Sequence, residues 1–154
     1  MKREDSPLVF VLKGLMPYSR ANMMLAFNPS QFFNELERLS NHKRKTLQAA
    51  YYRAEKRGLV QDTCELSFDG WEKVLPFVAK KLQKDVVLMV IFDIPEDEAN
   101  LRRAFRGYLK RLGFRQAQQS VWLSDNDYTE HTRRLVEHLG LSAYVQVYEA
   151  ARIC

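Results

Sequence analysis

Apolar and polar residues follow two different grammars along the chain, and the change falls near residue 85. Before it, apolar positions recur at helical spacing. Pro7 to Met16 is an apolar stretch that reads as a helix, and Pro17 breaks it. Ser19 can cap a second short helix, Arg20 to Phe27, which carries Met23, Met24 and Leu25. Asn28-Pro29 couples a capping side chain to a first-turn proline and so starts a third helix. That helix runs to about Leu39, with Phe32, Phe33, Leu36 and Leu39 inward. Residues 41–60, NHKRKTLQAAYYRAEKRGLV, predict a fourth. Indexed at about 100° per residue, Leu47, Ala50, Tyr51 and Ala54 fall on one narrow stripe able to pack on a small core. Ser40 or Asn41 can cap its start, and Gly58 sits where a helix-ending glycine belongs. Val60 to Phe68 then alternates weakly and meets Asp69-Gly70, a turn signal, so it reads as a short strand pair or wing. Trp71 to Leu82 returns to helix, with Trp71, Val74, Leu75 and Val78 on one face.

Residues 80–85, KKLQKD, form a polar hinge, and the second half differs. Val86 to Ile94 is a continuous apolar run, the mark of a strand buried on both faces. Pro95 ends it. Asp97 to Leu112 is a helix with Leu101, Phe105, Tyr108, Leu109 and Leu112 inward and Arg102, Arg103, Arg106, Lys110 and Arg111 mostly outward, stopped by Gly113. Phe114 to Ser124 is β-rich and long enough for two short strands or one bent strand. Asp127 to Leu139 is a second helix, stopped by Gly140, and Ala143 to Tyr148 is a last strand.

Two helices, a basic helix and a brief wing are the order of a winged helix-turn-helix, although a plain helical bundle has the same signature. The second half reads β-α-β(β)-α-β, the split βαβ arrangement. The expected fold is therefore α+β. Residues 1–82 form a mainly α winged helix-turn-helix, and residues 86–154 a ferredoxin-like βαββαβ domain. A sheet this small leaves a face or edge to cover, which a homodimer would do.

Composition adds three constraints. Nearly half the residues are apolar, enough for a core, but no run approaches the roughly 20 that a membrane span needs. Lys13 interrupts the apolar N-terminal run, so no signal peptide is expected. Cys64 and Cys154 lack paired spacing and suggest neither a disulfide framework nor a zinc site, so a cytoplasmic setting is expected. Charge is shared unevenly: residues 1–84 carry net +6 and residues 85–154 net −1. A basic first half joined to a near-neutral second half suggests a polyanion-binding module attached to something else.

The basic helix supplies the candidate chemistry. Opposite its packing stripe lie His42, Lys45, Ala49, Tyr52, Arg53 and Lys56, with Gln48 beside them. Phosphates need cations, base edges need amide or guanidinium forks, and close approach needs small side chains. The candidate DNA-binding set is His42, Lys43, Arg44, Lys45, Gln48, Tyr52, Arg53 and Lys56. Lys43, Arg44, Lys45, Arg53 and Lys56 would neutralise phosphates, and His42, Gln48 and Tyr52 would approach bases. The competing reading is a solvated basic face. His42, His131 and His138 have no zinc-like neighbours, Ser120 has no histidine partner, and phosphate-cradling glycine loops are absent. Trp122 and Phe114 read as core or dimer-interface aromatics. The Arg102/Arg103/Arg106/Lys110 face reads equally as a phosphate contact or as a solvated side.

Val90-Ile91-Phe92-Asp93-Ile94-Pro95-Glu96, Leu101-Arg102-Arg103, Leu112-Gly113-Phe114 and Gln118-Gln119-Ser120-Val121-Trp122 together carry a resemblance. Over residues 86–150 the chain resembles the middle domain of PaaX-type transcriptional repressors, and also the small second core protein of CRISPR adaptation, Cas-two. Residues 8–82 resemble the winged-helix half that precedes this domain in PaaX-like proteins, through helix order more than motif letters. The resemblance implies a DNA-binding transcriptional regulator that engages duplex DNA as a homodimer, with no cofactor. It also implies an alternative, a Cas-two-like protein with a winged-helix extension. That protein would act as a Mg²⁺-dependent nuclease or as a spacer-integration scaffold with a CRISPR integrase partner. In such relatives the aspartate ending the first strand is the proposed metal ligand and matches Asp93. Glu96, Asp97 and Glu98 read instead as N-terminal helix charges. One carboxylate per protomer is a thin site for an octahedral ion.

Overall fold

The computed structural model describes residues 6–17, 19–25 and 28–154. The chain divides into two units, Met1–Val78 and Ala79–Cys154.

Five helices make up the described part of the first unit: α1 (Pro7–Gly14), α2 (Arg20–Leu25), α3 (Pro29–Leu39), α4 (Arg44–Lys56) and α5 (Phe68–Val78). Their starts follow local chemistry. Ser6 Oγ accepts from the Val9 amide ahead of Pro7. Ser19 Oγ accepts from Asn22 N, and Asn28 Oδ1 from Ser30 N ahead of Pro29. Each cap satisfies an amide that the first helical turn leaves without a partner. The expected extension of α2 to Phe27 lies outside the described residues. Val11, Leu12, Leu15, Phe32, Leu36, Leu47, Ala50 and Val74 close a single core.

Within α3 the carboxylate of Glu35 is buried and bound by Arg38 through Nε at 3.0 Å and Nη2 at 2.7 Å, with Arg20 Nε at 3.6 Å. The hydrogen bond from Arg38 holds the Glu35 carboxyl below its ordinary pKa against the opposing effect of burial. Leu39, expected inward, is 52% exposed at the last turn of α3, where the chain leaves the helix.

The expected wing is smaller than the alternation suggested. Among the described residues it is one antiparallel bridge, Val60 to Leu66, around the turn at 61–65. Asp69-Gly70 is not a turn but the first turn of α5. Gly70 is there because a Cβ on it would lie 2.1 Å from the Leu59 carbonyl oxygen. Ser67 Oγ accepts from Gly70 N and donates to the Gly58 carbonyl, fastening the start of α5 to the end of α4.

In the second unit β1 (Val86–Phe92), α6 (Ala99–Arg111), β2 (Arg115–Gln118), β3 (Val121–Ser124), α7 (Thr129–His138) and β4 (Val145–Ala151) follow one another. Every strand pair is antiparallel and the order is β2-β3-β1-β4, the sheet of a βαββαβ split fold. The β-rich stretch 114–124 is two strands, with a register irregularity between Gln116 and Gln118. A single 3₁₀ turn, Glu96–Glu98, precedes α6. The polar segment expected to be a hinge is tied into this unit: Lys81 bridges Asn126, and Leu82 N donates to Asp125 O.

The two faces of the sheet differ. Leu88, Val90, Phe92, Trp122 and Val145 are buried, with the Phe105 ring of α6 edge-on to Phe92 at 5.4 Å. On the other face the register sets Met89 opposite Leu123 and Tyr148, and Ile91 opposite Val121. Those residues stay half-buried or exposed. Trp122 and Phe114 are core residues, with Phe114 tilted against Tyr128 at 5.7 Å. Among the described residues, no helix is long and apolar enough to cross a membrane.

Candidate nucleic-acid interface

α4 follows α3 after a four-residue connection, Ser40–Lys43. Its start is not capped as its sequence suggests. Lys43 occupies the cap position without a side-chain bond, and Ser40 Oγ accepts from the His42 amide at 3.2 Å instead. The first-turn amide of Arg44 donates to Glu37 Oε1, a carboxylate of α3, at 3.0 Å. Sequence windows centred on the helix start miss this cap, because it comes from seven residues upstream.

The end of α4 obeys the local signal. Gly58 takes φ +71°. Gly58 N donates to Glu55 O and Leu59 N to Ala54 O, the paired bonds of a Schellman cap. Leu59 and Ala54 are both buried, which supplies the apolar contact that accompanies this motif.

Between these ends the helix has two unlike sides. Leu47, Ala50 and Ala54 are buried, and Tyr51 packs edge-on to Phe33 at 5.8 Å. Lys45, Gln48, Ala49, Tyr52, Arg53 and Lys56 are exposed. Those positions recur at i, i+3, i+4, i+7, i+8 and i+11, so they form one continuous stripe about two-fifths of the way round the helix. Lys56 Nζ lies 5.3 Å from the Tyr52 ring centroid, a cation-π contact that keeps an exposed aromatic beside a cation. Ala49 lies within the stripe, where its small side chain permits close approach by a ligand surface.

The candidate residues are not all alike. Lys43 is exposed at the cap position, ahead of the stripe. Arg44 is half-buried, and its guanidinium bonds Asn34 Oδ1 and Ser30 Oγ of α3, so it pins the two helices together. His42 is half-buried, with its ring edge-on to Phe10 at 5.7 Å. The geometry therefore gathers Lys43, Lys45, Gln48, Tyr52, Arg53 and Lys56 on open surface, and sets His42 and Arg44 into the scaffold.

In the second unit, Asp93 is exposed just beyond β1, where its amide donates to the Tyr144 carbonyl at 2.9 Å. Among the described residues no group of three His, Cys, Asp or Glu could hold a metal ion. A lone carboxylate does not fit the near-octahedral oxygen shell of Mg²⁺. His131 is neutral at ordinary pH, because burial and the nearby Arg134 push its pKa down to about 4. The arginines of the two helices differ. On α7, Arg133 and Arg134 are tied to Glu130, with Arg133 also on Glu137. On α6, Arg106 lies over the Phe92 ring at 5.7 Å and donates to the Gln119 carbonyl.

No curated protein and no solved structure matches the chain. A family model matches residues 86–153, less than half of the sequence, and it describes the whole folded span from β1 to beyond β4. Residues 86–153 are thus similar to the PaaX protein central Cas2-like domain.

Proposed function

We propose that the protein is a PaaX-like transcriptional regulator that binds duplex DNA as a homodimer. In this reading α3, the connection 40–43 and α4 act as a helix-turn-helix, the hairpin 60–66 is a reduced wing, and α4 enters the major groove. The observation that carries the reading is the exposed stripe of α4. It holds three cations, an amide, a tyrosine and an alanine on the side opposite a packed core. Lys43, Lys45, Arg53 and Lys56 neutralise phosphates, and Gln48 and Tyr52 approach base edges. The match of the second unit to a PaaX central domain supports the same assignment. The half-exposed apolar face of the sheet, with Met89, Ile91, Val121, Leu123 and Tyr148, is the surface on which two copies pair.

The test is the salt dependence of duplex binding. Log affinity should fall linearly with log salt, at roughly −0.9 per neutralised phosphate. Replacing Lys45, Arg53 and Lys56 together by Ala should flatten the slope by about 2.7 and weaken binding to every sequence alike. An unchanged slope would remove α4 from the interface. Nuclease activity is checked alongside: Mg²⁺-dependent cleavage that disappears in Asp93→Ala would replace the regulator reading by the Cas2-like enzyme.

A further inference from the structure

The hairpin between α4 and α5 has the wrong charge for an element that grips a phosphate backbone. Its tip, residues 61–65, reads Gln-Asp-Thr-Cys-Glu, and no Lys or Arg occurs from Leu59 to Phe68. Asp62 and Glu65 are exposed. The tip is also held in place. Gln61 N donates to Glu65 O at 2.8 Å, and Cys64 N to Gln61 O at 2.9 Å. Leu59, Val60 and Leu66 anchor its base in the core.

Its position relative to α4 follows from Tyr51. Burial raises the pKa of the Tyr51 hydroxyl, and the Cys64 thiol of the tip and the Glu55 carboxylate of the helix raise it further, so both groups lie beside it. The tip therefore stands on the Tyr51–Glu55 flank. At about 100° per residue that flank borders Gln48 and Tyr52 on one side of the exposed stripe, while Arg53 lies on the far side. Across α4 the surface thus passes from carboxylates (Glu55, with Asp62 and Glu65 beyond it) through Gln48 and Tyr52 to Lys45, Lys56 and Arg53.

We infer that the hairpin tip is an electrostatic fence: it keeps duplex phosphates off one flank of α4 and lowers affinity for DNA of any sequence. This deepens the proposed role of α4 and rests on it. A helix in the major groove has phosphates on both sides, because the duplex carries one charge per ~1.7 Å of axis. On the Arg53 side those charges are neutralised. On the hairpin side fixed carboxylates repel them within a Debye length of about 8–10 Å. Repulsion of this kind is blind to sequence. It reduces non-specific binding while leaving base-edge contacts intact, so the ratio of specific to non-specific affinity rises.

The experiment uses the full chain and a random-sequence duplex, with affinity read by fluorescence anisotropy between low and moderate salt. Asp62→Asn with Glu65→Gln removes the charge and keeps the shape; Asp62→Lys with Glu65→Lys reverses it. Thermal melting of each variant verifies that the fold is kept. The neutralised protein should bind about 3- to 10-fold tighter at low salt, and the advantage should shrink as salt screens it. The reversed protein should bind tighter still, with a slope steeper by up to about 1.8. Unchanged affinity in both variants overturns the inference. Weaker binding also overturns it, since that result would have the carboxylates accepting hydrogen bonds from base amino groups. The failures are separable. If the wild-type chain binds no duplex, the α4 reading falls and takes the fence with it. If the wild type binds but the variants bind no tighter, only the fence falls.

Discussion

At the scale of single residues, the charged letters of 42–56 divide by what α3 does to them. Lys45, Arg53 and Lys56 are exposed on long stems, Lys56 with its ammonium beside the Tyr52 ring. Arg44 looks the same in sequence, yet Asn34 and Ser30 of α3 take its guanidinium. A sequence offers no way to see that, because the partners lie ten and fourteen residues away and depend on the crossing of two helices. Lys45 and Gln48 then make opposite predictions, although they sit three residues apart. Lys45 is a point charge for phosphate, so Lys45→Ala should weaken all duplexes by a similar factor and reduce the salt slope by about 0.9. Gln48 offers a fork of one donor and one acceptor, which suits an adenine edge. Gln48→Ala should cost roughly 1–3 kcal/mol on the preferred sequence and almost nothing on random DNA. Competition binding with a randomised duplex pool reads the difference. If Gln48→Ala shifts both equally, Gln48 is not a base contact.

At the scale of elements, the ends of α4, α6 and α7 were legible, as were the starts of α2 and α3 at Ser19 and Asn28, but the start of α4 was not. The glycines at 58, 113 and 140 all have positive φ, and each follows a helix where the sequence placed a stop. The next residue in each case, Leu59, Phe114 or Leu141, is buried and donates its amide back to a carbonyl five residues earlier. That signal is local, so one short window contains it. The start of α4 is not local, since Glu37 caps it from the neighbouring helix. The Asp69-Gly70 pair misleads for a related reason. Its glycine answers a tertiary need, the approach of the Leu59 carbonyl, rather than a turn. The cap of α4 carries its own prediction. Gly58→Ala adds a Cβ into open space, so its cost is backbone strain alone. Loss of about 1–2 kcal/mol is expected from forcing alanine into the left-handed region, read as a lower denaturation midpoint with unchanged m-value. A neutral result would mean that the chain relaxes out of the Schellman geometry.

At the scale of the whole molecule, the change of grammar near residue 85 and the break in charge mark two units, and the break between them falls at Val78. The split βαβ arrangement of the second unit was readable because alternating strands and helices admit few right-handed arrangements. What the pattern left open was which sheet face stays bare, since the apolar run of β1 serves both. The register answers this for the second unit taken alone. Met89 and Ile91 point away from the face that holds Phe92 and Phe105. In the proposed regulator that face does the pairing, and pairing decides how DNA is read. A single α4 covers only a few base pairs. Two copies held by a two-fold axis read two half-sites at a fixed spacing and add their binding energies. Ile91→Glu puts a charge at the centre of the apolar strip, where burial against a second copy would cost several kcal/mol. The variant should sediment as a monomer while its thermal melt stays close to that of the parent, because Ile91 is only half-buried in its own chain. Its affinity for one half-site should be intact, and its affinity for a paired site should drop to that of the half-site. A variant that remains dimeric would move the pairing surface to another part of the second unit, with the exposed edge strand β2 the next to test.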